Sequence, residues 1–216
     1  MKLLDWFIPQ IVETIPSDIN GEIKVVKLYG NYSLSVDGLT QSGGLVKDIW
    51  EKTLNKLPID KLLNNVLVLG VGGGTVIQIL KKRHPYISIT GIEIDPKMLD
   101  LAKKYFGLSE TERICLIIAD AIHWVSNYYY QNNLYSSKFD LILVDLFIGK
   151  KIPSEFEGEK FLSNLKGLLN PQGVVIINLL KDNPSTNLDL FIAKLKNIFS
   201  DVSYSQPLVN YIIYCS

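Results

Sequence analysis

The 216-residue chain carries 22 Lys and Arg against 22 Asp and Glu, so its formal net charge is zero, and 47% of its residues are hydrophobic. This composition is typical of a globular protein with a sizeable core and excludes disorder. Balanced charge gives no general attraction to nucleic acid or an anionic membrane, and no apolar run approaches the roughly 20 residues that span a bilayer. We therefore expect a cytoplasmic protein that binds neither.

The N-terminal part of the chain predicts a small β-hairpin followed by a helix. Glu22–Tyr29 and Tyr32–Val36 are rich in strand-forming residues and flank Gly30-Asn31, a pair typical of a two-residue turn. Leu45–Leu57 then carries apolar residues at helical spacing. Because a polar stretch follows, we place a boundary there, between an N-terminal region of residues 1–57 and a second domain of residues 58–216.

Short apolar strands alternate with helices in that second domain. The predicted strands are Val66–Leu69, Ile87–Ile92, Ile114–Ala119, Phe139–Val144 and Val174–Asn178, and the predicted helices are Thr75–Arg83, Pro96–Phe106, Ala121–Tyr129, Ser154–Leu169 and Asn187–Phe199. Apolar strands separated by helices indicate a parallel sheet covered on both faces. Val202–Ser205 and Val209–Cys215 add an antiparallel hairpin. We therefore predict an α/β Rossmann-like fold with a mostly parallel seven-stranded sheet.

A glycine-rich turn directly follows the first of these strands, with Gly70, Gly72, Gly73 and Gly74 ahead of a helix. Glycines there let the backbone approach a ligand closely and aim helix N–H groups at it. The alternative is a tight turn that needs small residues for packing, because a glycine motif alone is weak evidence.

Acidic residues follow the next three strands. Glu93 lies about 20 residues beyond the glycines, where an acid can accept both ribose hydroxyls of a nucleoside. Asp120 can accept from an adenine amine or cap a helix. Asp145 faces the same crevice if the strands are parallel, or else it is a helix cap or a loop carboxylate. With an ordinary aspartate pKa near ~3.9, Asp145 is charged at neutral pH.

Together these segments resemble the class I S-adenosylmethionine-dependent methyltransferase fold, and within it the spermidine synthase (polyamine aminopropyltransferase) branch. The likeness runs from about Gly21 onward, and Val36–Ser42 is similar to the hairpin motif with which those synthases begin. The resemblance implies a homodimer and a nucleoside site. In that site Gln41 reaches the sugar, Glu93 grips the ribose, Ile94 packs on adenine, Asp120 and Ala121 read the adenine edge, and Gly70–Gly74 lie against the cofactor's tail.

The chain departs from that family's pattern at three positions. Gly73 stands where aminopropyltransferases carry the aspartate that binds the aminopropyl amine. Asp145 matches the first of two aspartates after the fourth strand, the one that activates the attacking amine, but Ile148 replaces the second. Val68 stands where methyltransferases usually have an acid. The chain therefore lacks the family-typical acids for the cofactor's amine.

The resemblance implies an S-adenosylmethionine-dependent transferase, and Asp145 is the carboxylate expected to act as its catalytic base. Methyl transfer to a small-molecule acceptor, with an amine as one candidate, is the favoured reaction. Aminopropyl transfer from decarboxylated S-adenosylmethionine is the first alternative, and a nucleoside-binding relative without turnover is the second. No residue cluster requires a metal.

Overall fold

The computed structural model describes residues 7–57, 63–131, 138–148, 153–181 and 186–216, which form two β-sheets and six α-helices. The strands are β1 (Gln10–Ser17), β2 (Gly21–Leu28), β3 (Asn31–Val36), β4 (Leu39–Ser42), β5 (Asn65–Leu69), β6 (Ser88–Glu93), β7 (Ile114–Ile118), β8 (Phe139–Val144), β9 (Leu169–Leu180), β10 (Val202–Ser205) and β11 (Asn210–Cys215). The helices are α1 (Gly44–Leu54), α2 (Thr75–Arg83), α3 (Pro96–Phe106), α4 (Ala121–Gln131), α5 (Glu159–Gly167) and α6 (Leu188–Ile198).

The larger sheet has the strand order β10-β11-β9-β8-β5-β6-β7, and its five central and distal strands, β5 to β9, run parallel. The closing hairpin of β10 and β11 is antiparallel. Alternate residues of β5 face opposite sides: Leu67 and Leu69 join one buried apolar cluster, and Val66 and Val68 join the other. This arrangement confirms the predicted mostly parallel seven-stranded α/β sheet.

The smaller sheet is larger than the predicted hairpin, because β1 and β4 flank the β2–β3 pair in a four-stranded antiparallel sheet. A register shift interrupts β1, where Ile11 and Val12 are both exposed, so the strand lacks the alternation that identifies strands in a sequence. The inner face of the sheet packs on Met98 and Leu101 of α3. The small sheet therefore rests on the larger fold.

The predicted helix Ser154–Leu169 is shorter in the structure. A 3₁₀ turn at Ser154–Glu157 precedes α5, and Leu169 already belongs to β9, where it pairs with Phe139. The register between β8 and β9 shifts just after that pair. Proline is tolerated at such irregularities of a sheet, which explains why Pro171 does not keep the chain out of the strand.

Helix α1 follows the small sheet in the chain but packs with the larger one. Ile49, Trp50 and Leu54 belong to the same buried cluster as Val66 and Val68. The predicted boundary between residues 57 and 58 borders residues 58–62, which lie outside the described part of the chain, and it stays a prediction. None of the described helices is long and apolar enough to cross a membrane.

Candidate functional site

A cavity of about 360 Å³ lies at the carboxyl ends of the parallel strands. In the sheet, β5 lies between β6 and β8, so the chain builds outward from β5 first to one side and then to the other. Open α/β sheets bind ligands at the point where the strand order reverses in this way. The structure brings eight of the predicted site residues together around this cavity: Gln41, Gly70, Gly72, Glu93, Ile94, Asp120, Ala121 and Asp145.

Gly70 directly follows β5 and lies against the backbone of Asp145, which directly follows β8. Its φ is +86°, and a Cβ at this position would lie 2.1 Å from the carbonyl oxygen of Asp145. The Asp145 amide donates to the carbonyl of Leu69 at 2.8 Å. Only glycine permits this close approach, and the approach brings the Asp145 backbone against the glycine turn.

Glu93 is buried and accepts three backbone hydrogen bonds. Its Oε2 accepts from Val71 N (3.0 Å) and Gly72 N (2.8 Å), and its Oε1 accepts from Asp95 N (3.0 Å). Burial raises the pKa of this carboxyl, and the three amides oppose that shift. Since a carboxylate has about four acceptor positions, one remains, on Oε1. The structure thus leaves room for one ribose hydroxyl on Glu93, where the sequence predicts two.

Asp120 combines the two roles that the sequence leaves open. Its Oδ1 accepts from His123 N at 2.8 Å and so caps α4, while the side chain also lines the cavity. Within the described part of the chain, no donor reaches its Oδ2. That oxygen can therefore accept from an amine in the cavity.

Asp145 is held by two side-chain donors. Its Oδ1 accepts from Asn178 Nδ2 at 2.7 Å, and its Oδ2 accepts from Trp50 Nε1 at 3.2 Å. Asn178 Oδ1 in turn accepts from Asn210 Nδ2 at 2.8 Å. Burial raises the pKa of Asp145 from 3.8 to about 6, although both direct hydrogen bonds lower it. At that pKa the carboxyl is about nine-tenths ionised at pH 7, and its carboxylate accepts a proton more readily than that of an ordinary aspartate.

The sequence analysis missed three residues that support Asp145 through hydrogen bonds: Trp50, Asn178 and Asn210. Asn178 ends the predicted strand Val174–Asn178, at the edge where the acids lie, and this position was a usable signal. For Trp50 and Asn210 the sequence carries no such signal, because they reach Asp145 and its partner Asn178 from α1 and β11, far away in the chain.

Gly73 and Gly74 do not line the cavity. The Gly73 amide donates to Ser42 Oγ at 2.7 Å, and a Cβ on Gly73 would lie 2.6 Å from the Cβ of Ser42. Gly74 precedes α2 in the left-handed conformation, and a Cβ there would meet Leu108. Both glycines shape the turn, and their predicted contact with a ligand stays a prediction.

The small sheet is fastened to this site at two points. Ser42 at the end of β4 accepts from the hydroxyl of Thr75 at 3.2 Å as well as from the glycine turn. Asp95, which is 1% exposed, accepts from Ser17 Oγ (2.5 Å) and Asn20 Nδ2 (2.7 Å) in the β1–β2 connection. Because the Asp95 amide also binds Glu93, the small sheet helps to fix the buried carboxylate.

The charge of the cavity wall is negative. Glu93, Asp120 and Asp145 line it, and no Lys, Arg or His does so within the described residues. Beside Asp145 the wall is apolar, formed by Leu146, Phe147 and Ile148, the last of these at the position of the missing second aspartate. Such a wall suits a cationic ligand with apolar parts. Among the described residues, no group of three or more His, Cys, Asp and Glu is arranged to hold a metal ion.

Comparison with known proteins gives one matching family model, the spermine/spermidine synthase domain, over residues 49–214. An eEF1A lysine and N-terminal methyltransferase homolog of Drosophila melanogaster is 32% identical over 156 residues, which cover 70% of this chain and 23% of that protein. A probable polyamine aminopropyl transferase of Bifidobacterium longum is 34% identical over 116 residues, covering 54% of this chain and 24% of that protein. The chain thus spans about a quarter of the length of these curated relatives.

Among solved structures, the chain is similar to human methyltransferase-like protein 13 in complex with SAH. The TM-score is 0.69 at 26% identity, and the likeness covers 81% of this chain and 82% of that one. This structural neighbour agrees with the fold described above.

Proposed function

We propose that this chain, which belongs to the spermine/spermidine synthase domain family, is an S-adenosylmethionine-dependent transferase that methylates an amine. The observation that carries the proposal is the cavity with three carboxylates and no cationic side chain among its described lining residues. The SAH bound by the human neighbour and the methyltransferase names of the relatives support it.

The side chains in the cavity fit a nucleoside with a cationic sulfur. Glu93 has one acceptor position left for a ribose hydroxyl, and Gln41 lines the same cavity and is our candidate for the second hydroxyl. The open oxygen of Asp120 suits an adenine amine, with Ile94 and Ala121 as the apolar neighbours. When bound, the cofactor supplies a methyl carbon on a sulfonium, whose leaving group is a neutral thioether.

Asp145 is our candidate for the group that prepares the acceptor. An amine attacks only after it loses its proton, and a carboxylate that is ionised at pH 7 can hold the ammonium and accept that proton on an oxygen. The pKa of about 6 brings Asp145 nearer to neutral pH than an ordinary aspartate, which makes it a better base. Leu146 and Phe147 give the cavity an apolar wall beside it.

Methyl transfer is favoured over aminopropyl transfer by the surroundings of Gly73. An aspartate at this position would have to enter space that Ser42 fills, because even a Cβ would lie 2.6 Å from its Cβ. The cavity therefore lacks the loop carboxylate that the resemblance assigns to the aminopropyl amine, and Ile148 removes the second aspartate near Asp145.

One observation keeps aminopropyl transfer as the second candidate. The described residues that line the cavity include no cationic side chain that would pair with the carboxylate of S-adenosylmethionine, and the decarboxylated cofactor has no such group to pair. The polyamine aminopropyl transferase relative agrees with this alternative.

The comparisons bear on the kind of acceptor. The sequence predicts a small molecule, whereas the eEF1A methyltransferase names support an amine on a protein, either a lysine side chain or an N-terminus. An apolar wall around a single carboxylate suits both kinds of amine, so we propose an amine acceptor and favour the protein amine.

Binding is tested by calorimetric titration of S-adenosylmethionine, its decarboxylated form and S-adenosylhomocysteine into the wild-type chain, Glu93→Gln and Asp100→Asn. Asp100 is an exposed acid on α3 outside the cavity, so its variant is the matched control. We expect binding that Glu93→Gln weakens and Asp100→Asn does not. Absence of binding by all three compounds overturns the proposal, and strong preference for the decarboxylated form replaces methyl by aminopropyl transfer.

Transfer is tested with a methyl-labelled cofactor and three acceptors: a lysine-containing peptide with a blocked N-terminus, the same sequence with lysine blocked and the N-terminus free, and putrescine. We expect label on a peptide amine and none when Asp145→Asn replaces the wild type. Turnover that persists in Asp145→Asn removes Asp145 from the mechanism.

A further inference from the structure

Two buried asparagines lie behind the Asp145 carboxylate. Asn178 on β9 is 6% exposed and Asn210 on β11 is 4% exposed, and both line the cavity. Their neighbours along these two strands, Ile176, Ile177 and Ile212 among them, are fully buried and apolar. Burying an amide in such surroundings costs free energy unless the amide is hydrogen-bonded. Two asparagines bonded to each other at this place therefore indicate a specific role for their side chains.

We propose that Asn178 and Asn210 form an amide relay, a chain of two side-chain hydrogen bonds that positions the Asp145 carboxylate and favours its ionised form. Only the expected effect of this relay on turnover rests on the proposed function. The relay runs in one direction. Asn210 Nδ2 donates to Asn178 Oδ1 at 2.8 Å, and Asn178 Nδ2 donates to Asp145 Oδ1 at 2.7 Å.

The direction of the relay decides which form of the carboxyl it stabilises. An amide nitrogen only donates, so Asn178 favours the ionised carboxylate over the acid that carries its proton on Oδ1. Asn210 holds the oxygen of Asn178, and a rotation of the Asn178 amide that turned its oxygen toward Asp145 would break both bonds. Trp50 donates to the other oxygen at the longer distance of 3.2 Å, so each oxygen has one fixed donor.

The charged side chains that share the cavity do not stabilise the ionised Asp145, so neutral donors must do so. The titratable side chains that share the cavity are Glu93 from β6 and Asp120 before α4, both acidic. From α1 the group that reaches Asp145 is the Trp50 indole, which is neutral. Lys181, beyond the end of β9, donates to the carbonyl of Leu208. Within the described residues the amide and the indole are therefore the groups that hold the carboxylate.

The test is the titration of Asp145 followed by ¹³C NMR of carbonyl-labelled aspartate, with Asp145→Asn used to assign its signal. We compare the wild type with Asn178→Leu, Asn210→Leu and Asn164→Leu. Leucine has nearly the shape of asparagine without its donor, and Asn164 is a buried asparagine on α5 outside the cavity. Loss of a hydrogen bond to a charged group raises the midpoint in Asn178→Leu by about one pH unit. Asn210→Leu shifts it in the same direction but less, and Asn164→Leu leaves it unchanged.

A midpoint that stays in place in both Asn178→Leu and Asn210→Leu overturns the proposal, and if Asn178→Leu does not fold, Asn210→Leu alone decides. Turnover gives a separate reading. If Asp145 is the base, a midpoint moved from about 6 to about 7 lowers the rate of Asn178→Leu about twofold at pH 7 and about eightfold at pH 5.5. Moved midpoints in a chain whose Asp145→Asn variant keeps its turnover support the relay and refute the proposed function, so the two failures are distinguishable.

Discussion

Replacing Asp145 by Asn is expected to stabilise the fold while it abolishes turnover. Burial raises the pKa of Asp145 from 3.8 to about 6, so the folded protein binds this proton more tightly than the unfolded chain. Stability from this group is therefore fully present below pH ~4, is lost as the pH rises to about 6, and stays at its lower value above that. Relative to the fully protonated carboxyl, the free energy of unfolding is lower by about 3 kcal/mol at pH 7 and by about 0.5 kcal/mol at pH 4.

The neutral asparagine avoids that loss, provided that its hydrogen bonds can be made. The oxygen of the introduced amide would accept from Trp50, and its nitrogen would donate to Asn178 once both asparagines of the relay rotate. We expect Asp145→Asn to be more stable than the wild type in urea unfolding at pH 7, by up to about 3 kcal/mol, with the difference nearly gone at pH 4. Affinity for S-adenosylhomocysteine should change little.

The control for this prediction is Asp140→Asn. Asp140 accepts from the amides of Asn64 (2.7 Å) and Asn65 (3.0 Å) at the opposite end of the sheet, and a neutral amide accepts such bonds less well. We therefore expect that variant to lose stability at pH 7. An Asp145→Asn protein that is less stable than the wild type at pH 7, or whose advantage does not depend on pH, would refute the reasoning.

The other predictions concern the glycine turn, the buried Glu93 and the joint to the small sheet. Gly73→Ala should destabilise the chain by about 1–3 kcal/mol because its Cβ overlaps Ser42, and adding Ser42→Gly should restore part of the loss in thermal unfolding, since Ser42 also makes hydrogen bonds. Glu93→Gln should weaken S-adenosylhomocysteine by about 10- to 100-fold in calorimetry, since a charged acceptor is lost; unchanged affinity would place the ribose elsewhere. Asp95→Ala should increase hydrogen exchange in β1 and β2 more than Ser17→Ala does, since Asp95 holds both Ser17 and Asn20; equal exchange in the two variants would contradict this joint.

The parts of the site that sequence reasoning recovers are those set by local pattern. Gly70, Glu93, Asp120 and Asp145 each lie at or just past the end of an apolar strand, and parallel strands bring their carboxyl ends to one edge whatever the rest of the chain does. The strand pattern was therefore sufficient to place these four residues around one cavity.

What the sequence could not supply depends on contacts between distant segments. Whether Gly73 faces the cavity or the small sheet is decided by Ser42, 31 positions away in the chain. The pKa of Asp145 depends on burial and on donors from α1 and β9, so the ordinary value near ~3.9 that its residue type suggests does not apply. The strand β1 was missed because exposed apolar residues and a register shift hide its alternation.

The surroundings of Asp145 come from segments that lie far apart in the chain. The cavity residues from Gly70 to Asp120 all precede β8 in the chain. The carboxylate of Asp145 gains its backing amides only when β9 and then β11 have joined the sheet. The donors that hold Asp145 therefore depend on β11, which lies far beyond the glycine turn in the chain. A chain cut before β11 keeps the cavity acids in its sequence but loses Asn210, the donor to Asn178.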